Sequence, residues 1–117
     1  MLRKTVTDSF AVGASETSVV QMNELYTLSG LILSASYVTG SLVSFLGSMD
    51  GDSYLPIFNS NSAEVTLTVT GAARFYSVNP SDFSGWNFIK ARLGTSGSAK
   101  LQAVQPEPVT FVLKADH

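Results

Sequence analysis

The sequence predicts an all-β chain: a jelly-roll-like antiparallel β-sandwich of about eight strands with little or no helix. Two observations predict it. Apolar residues recur at every second position through most of the chain, as a sheet with one wet face requires. Turn-forming clusters interrupt these runs about every ten residues, the spacing of sandwiches and small barrels. The turn signals are Thr39-Gly40, Asp50-Gly51-Asp52, Asn59-Ser60-Asn61, Gly71, Asn79-Pro80, the stretch 94–97 and the stretch 106–108.

Each element follows from its own pattern. Residues 1–13 carry Arg3 and Lys4, then Val6, Phe10 and Val12 within an alternating run. They read as an N-terminal arm or a first strand, with residues 14–117 as a single sandwich domain. Residues 18–26 alone have helical character, through a capping box of Ser18 and Gln21. Residues 28–46 are uncharged, but Ser, Thr and Gly break the run and Thr39-Gly40-Ser41 reads as a turn. Two strands therefore fit better than a membrane span. The first sets Leu31, Leu33, Ala35 and Tyr37 on one face; the second carries Val43 and Phe45. Val65, Leu67 and Val69 then alternate with Glu64, Thr66 and Thr68. Ile89, Ala91 and Leu93 alternate with Phe88, Lys90 and Arg92, and Val109, Phe111 and Leu113 with Thr110, Val112 and Lys114. Phe45, Phe75 and Phe111 are expected in the core.

Composition narrows the function. The 117 residues allow one domain with a real core. Only 14% are charged, against about 25% in ordinary soluble domains. Such a surface is rich in uncharged polar residues or partly covered by a partner. The net charge is −2 with no basic run, so nucleic acid is not expected as a partner. Neither a secretory signal nor a membrane segment is expected. There are no cysteines, which excludes disulfides and thiolate metal sites.

Catalytic motifs are absent. The single histidine, His117, ends the sequence, where packing and an orienting partner are hard to supply. Asp50-Gly51-Asp52 reads as a hairpin turn, since Asp-Gly supplies positive φ; a calcium loop would need more oxygen ligands at fixed spacing. Asp50, Asp52, Glu64 and Asp82 could be paired for glycoside hydrolysis, but surface acids are the default. No catalytic residue, metal or cofactor is expected. Tyr37, Tyr54, Tyr76 and Trp86 are amphipathic and suit a sheet end or an interface.

The stretch 78–97, "VNPSDFSGWNFIKARLGTSG", contains the only tryptophan. Asn79-Pro80 ends a strand, and Ser81 or Asp82 accepts backbone N–H groups of the next turn. Phe83 and Trp86 then cover the sandwich end, with Gly85 allowing the bend. The competing reading is a ligand loop, with Trp86 exposed beside Asp82 or Asn87.

Three segments together resemble small virion proteins of tailed bacteriophages, of the head decoration (cement) type. They are "LSGLILSASYVTGSLVSFLGSMDGDSYLPIFN", "AEVTLTVTGAARFYSVNPSDFSGWNFIKARLGTSGSAKLQ" and "VTFVLKA". The shared features are a Ser-x-Asp-Gly hairpin turn, a Pro-x-Asp-Phe-x-Gly-Trp corner, an Ile-x-x-Arg strand and a Gly-Thr-Ser turn. The resemblance implies a non-enzymatic protein on the outer surface of a phage head, made in the host cytoplasm. Its implied partners are the major capsid protein and copies of itself, as a trimer or, second, a dimer. Contact residues expected on this reading are Arg3, Val6 and Phe10 on the arm, with Tyr54 and Trp86. A carbohydrate- or receptor-binding module of a tail or baseplate is the alternative.

Overall fold

The computed structural model describes residues 3–22, 26–33, 42–69, 74–83, 85–102 and 107–115. Ten strands appear among them: β1 (Arg3–Phe10), β2 (Val20–Gln21), β3 (Tyr26–Leu33), β4 (Leu42–Ser48), β5 (Leu55–Pro56), β6 (Thr66–Thr68), β7 (Arg74–Ser77), β8 (Phe88–Thr95), β9 (Ser98–Ala99) and β10 (Glu107–Ala115). The only helical turn among the described residues is a 3-10 helix, Pro80–Asp82. No described helix is long and apolar enough to cross a membrane.

The strands form an antiparallel β-sandwich. The first sheet has four strands in the order β1-β10-β3-β7. The second has six: β2-β8-β4-β5 in order, with β6 on β4 and β9 on β8. The core lies between them. Phe10, Leu28, Leu31, Leu33, Val109, Phe111 and Leu113 face inward from the first sheet, and Val43, Phe45, Leu67, Ile89, Ala91 and Leu93 from the second. These are largely the residues whose alternation marks the strands in the sequence.

Three local expectations are corrected. Val20 and Gln21 pair with Ile89 and Phe88 as a strand, so the capping box at Ser18 and Gln21 starts no helix. A short segment of two adjacent valines gains more from a sheet ladder than from an isolated helical turn. The two strands read in residues 28–46 both form, β3 in the first sheet and β4 in the second. Residues 34–41, with Ala35, Tyr37 and the Thr39-Gly40-Ser41 turn, lie outside the described residues, as do Gly71 and His117. The last strand begins at Glu107, ahead of the Val109 start that Pro108 suggested. Pro108 stands opposite Ser9 of β1.

Phe75 is the third. It is 54% exposed rather than in the core. Adjacent residues on a strand point to opposite faces, and the register sets Tyr76 opposite Leu31 of the core face and Phe75 opposite Ile32 outside. Gly30 makes room for it: a Cβ there would overlap the Phe75 ring and come within 2.8 Å of the Tyr76 carbonyl oxygen.

Candidate functional site

The corner at 79–88 closes one end of the sandwich. Asn79 starts it: its side-chain oxygen accepts the backbone N–H of Ser81 at 3.2 Å. Asn79 therefore caps the start of the turn. Pro80 sits in the first turn of the 3-10 helix, where its missing donor is harmless. The chain then closes through Phe83 N–H to the Pro80 carbonyl at 3.0 Å and Trp86 N–H to the Phe83 carbonyl at 3.2 Å. These bonds make the bend. Gly85 lacks the positive φ seen at Gly13, Gly51 and Gly94, and a side chain there would meet open space.

The two rings of this corner differ. Phe83 is fully buried and meets Phe45 edge to face, centroids 5.0 Å apart. Trp86 is half-buried and packs on the rim of the core. Its indole lies on Gly47 of β4, where a Cβ would stand 2.7 Å from the indole Cγ. Asn87 is turned the other way, its amide donating to the Met49 carbonyl at 3.2 Å. One face of the Trp86 ring is thus packed against the β4 backbone.

Next to the corner, β4 and β5 form a hairpin, Leu46 opposite Pro56 and Gly47 opposite Leu55. Gly51 turns it at φ +85°. The Asp50 carboxylate accepts N–H groups of Asp52 at 2.9 Å and Ser53 at 3.1 Å, and the Ser48 hydroxyl at 3.0 Å. The Asp52 N–H, then the Ser53 N–H and the Ser48 hydroxyl, hold its pKa below the ordinary 3.8. These bonds turn the Asp50 carboxylate toward its own backbone. Among the described residues no group of His, Cys, Asp and Glu side chains is arranged to hold a metal ion.

Tyr54 folds back from this hairpin onto the outer face of the second sheet. Lys90 Nζ stands 4.5 Å from its ring centroid and 3.4 Å from Glu16 Oε1. Burial, then the charges of Asp50 and Asp52, push the Tyr54 hydroxyl above its ordinary 10.0. Beside it Arg92, on the outward face yet only 8% exposed, donates to Glu64 at 2.7 Å and to Ser44 Oγ at 3.0 Å. Glu64 also accepts the Ser96 backbone N–H, so this carboxylate is bound up in a structural network.

The sequence-derived contact residues do not converge on one spot. Arg3 is exposed at the start of the edge strand β1; Val6 is partly buried against the core, and Phe10 is fully buried in it. Phe10 therefore contributes packing and not a free contact surface. β1 pairs with β10 along its whole length, which makes it a strand of the domain's own sandwich, while its other side is the sheet edge. Tyr54 and Trp86 lie with the second sheet instead. The residue that sequence reasoning placed inside, Phe75, lines a groove of about 460 Å³ with Arg3, Ser29, Val112 and Lys114.

The fold can be set beside known proteins. No family model matches the chain, and no curated protein matches it in sequence. The crystal structure of the SPBc2 prophage-derived protein YomS is similar in fold. The match covers 97% of this chain and 96% of that one, with a TM-score of 0.56 and 11% identity. This chain thus has the fold of that protein over nearly its full length.

Proposed function

We propose that this chain is a structural virion protein that decorates the outer surface of a phage head and stabilises the lattice of the major capsid protein. The observation that carries the proposal is the fold shared with a prophage-derived protein across 97% of the chain. The motif resemblance to decoration proteins points the same way. So does a surface with only 14% charged residues on which Met49, Leu55, Phe58, Phe75 and Leu101 are each more than half exposed. Large apolar side chains in solvent at several places suit a chain that is covered by neighbours.

On this reading the protein performs no chemistry. Each copy adds contact area across joints between capsid subunits, and an interface of about 1,600 Å² suffices for specific association. Self-association into a trimer, or else a dimer, raises avidity without new contacts. The alternative, a tail or baseplate carbohydrate module, would have to use the Trp86 ring face that is not packed on Gly47. The test is removal of the gene from the phage that carries it. Heads lacking the protein should assemble but break at lower temperature or osmotic stress, and added protein should restore them. Heads equally robust without it would overturn the proposal.

A further inference from the structure

Two unlike surfaces of this molecule complement each other. The first is the groove on the outer face of the first sheet. Arg3 and Lys114 stand directly opposite each other across β1 and β10, a like-charge arrangement that destabilises a strand pair. Neither forms a salt bridge among the described residues, whose pairs are Lys90 with Glu16 and Arg92 with Glu64. Beside these cations lies Phe75, 54% exposed and laid across Gly30. The groove therefore offers two unspent positive charges and one aromatic surface.

The second is the hairpin at 48–55. It presents exposed Met49 and Leu55, at 59% and 60% exposure, around the carboxylates of Asp50 and Asp52. Its shape is fixed by the Asp50 and Ser48 hydrogen bonds, so little ordering is lost when it docks. Basic and apolar on one surface, acidic and apolar on the other, both belong to the same chain.

We infer that a second copy of this chain inserts its 48–55 hairpin into the groove lined by Arg3, Phe75 and Lys114. The contact is between different patches, so repetition closes a ring when the rotation allows and pairs two copies when it is reciprocal. The inference rests on the self-association part of the proposed function and not on the head location. It also gives the opposed cations a purpose: their repulsion in the free chain is relieved when carboxylates enter.

Light scattering coupled to size exclusion tests this on the full chain, with the variants Lys114→Glu and Asp52→Lys. The wild type should run as an oligomer that weakens as salt is raised. Each single variant should weaken association by about tenfold or more. An equimolar mixture of the two should recover it, because each supplies the half the other lacks. At a dilution where the wild type is itself a single chain, Lys114→Glu should melt no lower than wild type, since it replaces repulsion with an opposite-charge pair to Arg3; this separates lost docking from lost folding. A wild type that stays a single chain at high concentration overturns the inference. So does an oligomer that both variants leave intact, which would place self-association elsewhere. If either variant loses binding to heads while its oligomer persists, the groove or hairpin serves another protein, and the inference again fails. Head location is read on particles, so the two readings can fail separately.

Discussion

Replacing Gly47 with Ala tests the packing of the corner against β4. A Cβ at this position would stand 2.7 Å from the Trp86 Cγ and 2.8 Å from Cε2, well inside contact distance. Overpacking of this kind costs about 1–3 kcal/mol. Against it stands the smaller backbone entropy of Ala in a strand, worth about 0.5–1 kcal/mol. The net expectation is a loss of about 1.5 kcal/mol. With an unfolding entropy of about 2.1 cal/mol/K per residue, a chain of this size has about 0.25 kcal/mol/K, so the melting temperature should fall by about 6 °C. In a Trp86→Ala background the clash is gone. The same Gly47→Ala change should then be neutral or raise stability by about 0.5 kcal/mol, because the methyl fills part of the hole. The coupling between the two sites is thus about 1.5–2 kcal/mol, readable from urea unfolding of the four proteins in a double-mutant cycle. Additivity within about 0.5 kcal/mol, or a Gly47→Ala protein as stable as wild type, would refute the packing.

Phe83→Ala should be the more damaging change at this corner, costing about 3–5 kcal/mol and about 12–20 °C, since Phe83 is fully buried and Trp86 only half; calorimetry giving the larger loss to Trp86→Ala would reverse the assignment. Glu64→Gln leaves the largely buried Arg92 without its counter-charge and should cost about 2 kcal/mol in denaturant unfolding, below the 3–5 kcal/mol of a fully buried pair; a loss under about 0.5 kcal/mol would mean solvent already screens the pair. Asp50 has its pKa lowered in the folded chain, so its contribution to the hairpin is present above pH 3.8 and lost as pH falls through the folded value. Carboxyl NMR should find Asp50 titrating below 3.8, and a Ser48→Ala change should move it upward; titration at or above 3.8 would contradict the turn geometry.

Much of the fold was legible because a half-buried strand writes its inside face directly into the sequence. Ile89, Ala91 and Leu93, and Val109, Phe111 and Leu113, alternate in the chain and are all buried. Periodicity carries no information about which strands share a sheet, so the separation of β3 from β4 was not readable from residues 28–46. It was also ambiguous where aromatics adjoin. Phe75 and Tyr76 must face opposite ways, and only the register to β3 decides which goes in. A signal existed in the glycines: Gly30 and Gly47 interrupt otherwise good strands, and such glycines often mark close approach of another group. Here each lies under an aromatic ring.

The site was less legible for the same reason. Its parts come from distant residues that only the pairing unites. Arg3 meets Lys114 through the β1–β10 register, and Glu64 meets Arg92 through the order of strands around β4. Neither pair leaves a local motif. The Ser-x-Asp-Gly hairpin does, because its hydrogen bonds run between neighbours in sequence. That turn was accordingly read correctly from the residues alone.

If the chain is the head decoration protein proposed above, cryo-electron microscopy with quantitative mass spectrometry on purified particles of the phage concerned decides the matter. Density of this β-sandwich should lie on the outside of the head, in copy numbers comparable to the major shell subunit. A handful of copies at the tail tip, or none in the particle, would contradict it.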